Sequence, residues 1–356
     1  MEIQSIIKPA TIEEAFDLDV ISITEERGVS LIKNDSLDFE KGQEVESNLI
    51  VNTNPFIVSN TTEVNLDLLR KDCIIPVFSK DNEKTIAHQE FIEIAQDSIS
   101  RVFPNIKFEQ PEIRVSHQIK GRIPDAIHKN VKELLDHEKT QYFERMAFII
   151  KIPEITSSVN GNQLDMTIGG VRSYNLENLY NKKSMERFKF FIGFQNQVCM
   201  NLCVWSDGFV EDLRVSSVDE LQARMIQVMQ SYDAEKHLSI MKDLPNYALT
   251  ESQFAQVIGK SRLYHYLPKQ EKAQLPSLLM NDGNVGTIAR DYYLDNSFSR
   301  DEAGNINLWN LYNLFTSANK SSYIDTFLDR SVNAFDFTKG LKNALNGFGN
   351  HGWFLE

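Results

Sequence analysis

Arg187-Phe188-Lys189-Phe190-Phe191-Ile192-Gly193-Phe194-Gln195-Asn196-Gln197-Val198-Cys199-Met200-Asn201-Leu202-Cys203-Val204-Trp205 is the stretch that decides the fold class. Its first half alternates. Phe188, Phe190, Ile192 and Phe194 fall on one side and Arg187 and Lys189 share the other, which is the period of a strand. Gln195-Asn196 then reads as a turn into a second strand over 197–205. On that strand Cys199 and Cys203 face the same way as Asn201 and Trp205. Two strands joined by a short polar turn pair antiparallel.

Towards the N-terminus the strand signals continue. Residues 113–119 predict a half-exposed strand, with Ile113, Val115 and Ile119 opposite Arg114, Ser116, Gln118 and Lys120. Residues 146–152 are apolar on both faces and predict a central strand. Residues 164–174 contain Gly169-Gly170, which predicts a bulge or turn between short strands. A buried strand is expected over 73–78. One amphipathic helix is expected over 87–103, with the stripe Phe91, Ile94, Ala95, Ile99, Val102 and Phe103 ended by Pro104. A basic helical piece is expected over 124–138.

Towards the C-terminus the period changes. Ser217 followed by Glu220, and Thr250 followed by Gln253, match the capping box that opens a helix. Leu221, Met225, Val228 and Met229 supply one stripe; Phe254, Val257 and Ile258 supply another, with Gly259 as its stop. Further helices are expected over 275–280, 286–294, 306–318 and 322–345. Strands followed by helices predict an α+β fold: a mainly antiparallel sheet domain over 61–215, a helical domain over 216–347 and a tail over 348–356.

The 356 residues hold 37 basic and 50 acidic side chains, a net charge of −13. The excess is uneven. Residues 1–60 carry twelve acids against four bases, and they read as an acidic, disordered arm. Residues 101–151 carry ten Lys or Arg against seven Asp or Glu. No signal peptide or apolar run of membrane-spanning length is visible. Three cysteines make no disulfide framework, so a cytoplasmic protein is expected.

Two basic groups stand out in this acidic chain. Arg114, Lys120 and Arg122 form the first; Lys182, Lys183, Arg187 and Lys189 form the second. Cations displayed on a sheet track phosphates, and neighbouring rings can stack on bases; the bland reading is a solvated sheet face. The run Asn305-Ile306-Asn307-Leu308-Trp309-Asn310-Leu311-Tyr312-Asn313-Leu314-Phe315-Thr316 offers a different surface. As a helix it gathers Asn307, Asn310 and Asn313 on a polar, uncharged face opposite Trp309, Tyr312 and Phe315. Such a face suits either amides that cap neighbouring loops or, with Tyr323, a subunit interface.

Other chemistry is thinly marked. Cys199 and Cys203 lack further thiol or imidazole partners at metal-site spacing, so buried thiols are expected and neither metal nor cofactor is. His117 falls on the apolar side of its strand and reads as a core histidine. Gly283-Asn284-Val285-Gly286-Thr287 lacks the Lys of a phosphate loop. No hydrolase, metalloprotease or dinucleotide motif appears.

Several segments together resemble a known family. Pro111 to His117, Lys120-Gly121-Arg122-Ile123-Pro124, Tyr142 to Met146, Asn196 to Trp205 and Asn305 to Arg330 stand in the order found in the bacterial family named domain of unknown function 3871, of Bacteroidetes and their mobile elements. The likeness runs from about residue 60 to the C-terminus. The Cys199–Trp205 strand and the Trp309/Asn313 helix also resemble, more faintly, a phage- and plasmid-borne family, domain of unknown function 932. Neither brings a catalytic residue. The resemblance implies a protein maintained by mobile DNA.

Two functions follow as expectations. One is a non-catalytic nucleic-acid-associated protein of a mobile element, serving replication, recombination or maintenance, that contacts DNA or RNA through the seven cations. The alternative is a protein–protein module, self-associating or capturing a host factor through Asn307, Trp309, Asn310, Asn313 and Tyr323. No membrane partner is expected, and an enzyme ranks below both.

Overall fold

A computed structural model of the chain describes residues 55–73, 85–174 and 185–356. The fold is α+β, built on a seven-stranded antiparallel sheet followed by helices. Strands β1 (Thr62–Val64), β2 (Glu112–Val115), β5 (Arg145–Val159), β6 (Asn162–Ser173) and β7 (Glu186–Asn196) lie in that spatial order. Two short strands share the outer edge of β7: β8 (Asn201–Cys203) pairs with its end, and β9 (Phe209–Val215) with its beginning. Strands β3 (Gln118–Arg122) and β4 (Lys139–Phe143) form a separate two-stranded ribbon.

Both faces of the sheet are covered, which is why its central strands are almost wholly apolar. On one face lies α2 (His88–Val102), where the Phe91 ring meets Phe148 at 5.1 Å and Phe188 at 4.8 Å between centroids. Helix α1 (Leu66–Asp72) precedes it, and α3 (Val218–Ser231) packs beside it and against β7 and β9. On the other face Ala147, Ile149, Val171 and Phe191 join Leu202, Val204, Phe56 and Ile57. Ile324, Phe327 and Leu328 of the long helix Ile324–Leu345 close this core. The helices of the C-terminal part are α4 (Ala234–Asp243), α5 (Glu251–Tyr264), α6 (Lys269–Lys272), α7 (Asp282–Leu294), α8 (Leu308–Asn319) and α9 (Ile324–Leu345), and a two-residue ladder joins Ala248–Leu249 to Ile306–Asn307. No described helix is long and apolar enough to cross a membrane.

The strand and helix signals of highest contrast are matched by elements. The helix expected over 87–103 is α2, the strand over 146–152 lies inside β5, and Ser217 and Thr250 cap α3 and α5 as expected. Several expectations need correction. Residues 113–119 are not one strand, because the chain turns out of the main sheet at Ser116-His117. Residues 124–138 form three short 3-10 turns rather than a helix; Asn130, whose side chain caps its own turn, breaks any longer run. Helix α5 runs through Gly259 to Tyr264, and residues 275–280 are not helical. The turn after β7 covers 197–200, with Met200 at φ 57°, so Cys199 sits on the turn and not on a strand beside Cys203. Phe56 and Ile57, read as part of the acidic arm, are buried in the core. The strand expected over 73–78 falls mostly outside the described residues.

The Gly169-Gly170 pair causes no break. It lies mid-strand in β6, in register with both neighbours. The glycines admit close approach instead: a Cβ on Gly169 would stand 2.2 Å from the Phe148 carbonyl oxygen, and one on Gly170 would stand 2.4 Å from Cζ of Phe91. Gly169→Ala therefore forces backbone apart in the centre of the sheet. Chemical denaturation should show a loss of about 1–3 kcal/mol, the range of core overpacking. A neutral result would show that β5 and β6 have room the geometry denies them.

Candidate nucleic-acid interface

Strands β2 and β3 on one side, and β4 and β5 on the other, hold a single register. Glu112 faces Ile149, Val115 faces Met146, Gln118 faces Phe143 and Arg122 faces Lys139. The amide of Ser116 donates to the Arg145 carbonyl at 2.9 Å, and the Arg145 amide donates to Ser116 Oγ at 3.0 Å, carrying the ladder across the kink. The ribbon is thus the distal half of one long hairpin whose proximal half belongs to the sheet. Residues 123–138 close it, with Ile127, Val131 and Leu135 exposed.

Strand alternation puts Lys120 and Arg122 on one face of β3, with Gln141 and Lys139 opposite them on β4. Together with Lys71 from the end of α1 and Val131 and Leu134 from the closing loop, they line a recess of about 580 Å³. Among the described residues Asp136 is the one acidic side chain in that lining, and it pairs with Lys139 at 2.7 Å. Arg122 donates to the Lys129 carbonyl and has no carboxylate partner among the described residues. Lys71 and Lys120 have no ion-pair partner among the described residues. Lys129 is held by Glu138, whose carboxyl that contact lowers below its ordinary value.

The other expected cations are placed differently. Arg114 lies one strand in from the sheet edge, donating to Thr61 Oγ1 at 3.2 Å and pairing with Glu63 at 3.4 Å. Arg187 and Lys189 do share a face of β7, but each is tied to a carboxylate. Arg187 pairs with Asp212 at 2.6 Å, and Arg214 holds the same carboxylate at 2.6 Å. Lys189, its side chain only 12% exposed, pairs with Asp329 and donates to the Asp325 carbonyl at 2.7 Å. The phenylalanines opposite are buried under α2, so no ring is free to stack on a base there. Lys182 and Lys183 lie outside the described residues. The structure therefore brings Lys120 and Arg122 together and adds Lys71 and Lys139 to them, while Arg114, Arg187 and Lys189 serve the sheet.

Sequence reasoning missed Lys139, Gln141 and Lys71. The first two had a readable signal. Lys120-Gly121-Arg122 and Lys139-Thr140-Gln141 flank a loop symmetrically, as paired strands do. Lys71 reaches the recess from a helix remote in sequence and left no signal.

The asparagine face of α8 is spent inside the chain. Asn313, fully buried, accepts from Asn196 Nδ2 at 3.0 Å and donates to the Trp309 carbonyl at 2.9 Å; its own carbonyl accepts from Asn201 Nδ2 at 3.0 Å. Asn307 caps the helix by accepting from the Asn310 amide at 2.8 Å, and Asn310 reaches the Ser299 carbonyl. Trp309 is wholly buried and donates to Asn162 Oδ1 at 2.7 Å. These amides cap loops and strand ends, the bland of the two readings, and burial removes Trp309 and Asn313 from any outer surface. Tyr323 alone of the five is exposed, at 65%.

Burial holds two thiols and two imidazoles in their neutral forms. Burial pushes the Cys199 thiol up to about 11 and the Cys203 thiol higher still. Burial also pushes His88 and His237 down to about 3, leaving both neutral; His237 Nδ1 bonds the Tyr232 hydroxyl at 2.7 Å. His117, expected in the core, is exposed beside Glu144 at 3.9 Å, because the chain kinks out of the sheet at that residue. Gly283 and Gly286 lie in the opening turns of α7, whose cap is the Asn281 side chain. No group of three His, Cys, Asp or Glu among the described residues is placed to hold a metal ion.

The family model described as "Domain of unknown function, B. Theta Gene description (DUF3871)" matches residues 43–355. The chain belongs to this family. The match takes in the sheet, the ribbon and every described helix, and it begins within the segment read as an arm. No curated protein and no solved structure matches the chain.

Proposed function

We propose that this member of the DUF3871 family is a non-catalytic nucleic-acid-binding protein that contacts phosphates at the ribbon recess. The observation that carries the reading is the set of Lys71, Lys120, Arg122 and Lys139 around one concavity, with a single carboxylate among its described lining residues. In a chain of net charge −13, three cations of the hairpin and Lys71 of α1, with Lys71 and Lys120 lacking an ion pair among the described residues, form a local attractor for polyanions. A two-stranded ribbon also has a shape that nucleic-acid grooves admit. The family resemblance supplies the setting, a mobile element's replication, recombination or maintenance, and a cytoplasmic location goes with it.

Titration of labelled DNA and RNA at low ionic strength tests this. The double charge reversal Lys120→Glu with Arg122→Glu should weaken binding at least about tenfold and lower the salt slope by about 2, as loss of two phosphate contacts requires. Arg187→Ala should leave affinity unchanged, because that guanidinium is tied to Asp212 and does not line the recess. No binding by the unaltered protein, or equal binding by the charge-reversed one, ends the reading. The second reading, a protein–protein module, draws on the exposed Ile127, Val131 and Leu135 and on Tyr323 rather than on the asparagine face. Light scattering across a concentration series separates it: self-association abolished by Val131→Asp with Leu135→Asp favours it.

A further inference from the structure

We infer that the ribbon recess takes one nucleotide of a single strand, with its phosphate on the cations and its base on the apolar wall, so that single-stranded nucleic acid is bound in preference to duplex. This rests on the nucleic-acid reading above and narrows it. The lining is of two chemical kinds. Lys71, Lys120, Arg122 and Lys139 present charge, whereas Val131 and Leu134 of the closing loop present an aliphatic wall. Gln141, directly across from Lys120 on β4, also lines the recess.

Shape argues for the single strand. A volume of about 580 Å³ belongs to the size class of small-molecule sites, large enough for one nucleotide. Duplex phosphates lie on a convex ridge and need only a flat cationic surface. Against a duplex, the aliphatic wall would meet nothing, since the bases are stacked and paired inside. An unpaired strand can splay a base outward and present its face to apolar side chains. Val131 is 66% exposed, so covering it with a base removes apolar surface from water. The electrostatic part would then serve any polyanion, and the wall would supply the discrimination.

Fluorescence anisotropy on the full chain provides the test, with a labelled thymidine oligonucleotide, a duplex of the same length, and a mononucleotide as competitor. The single strand should bind about tenfold more tightly than the duplex, the scale of one base contact. Val131→Ser with Leu134→Ser should erase that preference while leaving the salt slope unchanged, and a thermal melt of the variant checks that it folds. The mononucleotide should compete for the recess, but only at far higher concentration than the oligonucleotide. Equal affinity for both forms, or a preference that survives the double substitution, overturns this inference and leaves the phosphate reading standing. Binding of neither form overturns both. Tighter binding of the mononucleotide than of the strand overturns the single-strand assignment in favour of a free-nucleotide site.

Discussion

Arg172→Ala should lower folding stability by about 3–5 kcal/mol, the cost of stranding a partner from a buried ion pair. The Arg172 guanidinium is completely buried in β6. It pairs with Glu186 at the start of β7 and donates to the Ile86 carbonyl. Glu186 in turn accepts from the Ile86 amide through both oxygens, at 3.1 Å each. The guanidinium lies over two rings, 4.4 Å from the Phe188 centroid and 4.6 Å from that of Tyr174, and His88 stacks on Tyr174 at 4.4 Å between centroids. Alanine removes the charge partner of Glu186, the Ile86 contact and two cation–π contacts together. Arg172→Met with Glu186→Leu should recover only part of the loss: no charge is stranded, but the Ile86 amide and carbonyl lose their partners. Urea denaturation reads both variants. A loss under about 1 kcal/mol for Arg172→Ala would mean that water reaches the cluster and that Arg172 is not the pin joining β6, β7 and the entry to α2.

Trp309→Ala should cost a similar amount, about 3–5 kcal/mol, through the cavity left by the largest fully buried side chain. Trp309 fastens α8 to the sheet at one point. Its indole nitrogen donates to Asn162, which opens β6 directly after the turn Asn160-Gly161, where both residues have positive φ. Trp309→Phe keeps most of the volume and loses the hydrogen bond, so its cost should be the smaller by at least about 1 kcal/mol. Equal losses for the two variants would show that Asn162, not packing, holds the helix.

The contrast between strand and helix regions was legible because period-2 and period-3.6 patterns are written into neighbouring residues. Phe188, Phe190, Ile192 and Phe194 needed no partner to be read, and the same holds for the caps at Ser217 and Thr250. What failed depended on distant groups. Gly169-Gly170 reads locally as a breaker, yet its glycines exist for Phe148 and Phe91, which approach from another strand and from α2. The Asn160-Gly161 dipeptide, a strong two-residue hairpin signal, was overlooked between two strong strands. For the site, a sequence shows where cations stand but not which carboxylates come to meet them. Asp212 is a neighbour of Arg187 only through β7–β9 pairing, and Asp329 reaches Lys189 from a helix 140 residues on. Lys120 and Arg122 escaped such partners because their strand leaves the sheet.

The sheet also has a bearing on how copies of the chain meet. A row of bare amides and carbonyls at the border of a sheet invites another molecule to extend it. Here one border is the three-residue β1, and the opposite one is formed by the three-residue β8 and the seven-residue β9 laid along β7. Of the described borders β9 is the longest, and it carries Glu211, Asp212 and Arg214. Charged side chains on a border strand discourage a second copy from adding to it, and so guard that flank against fibrous growth.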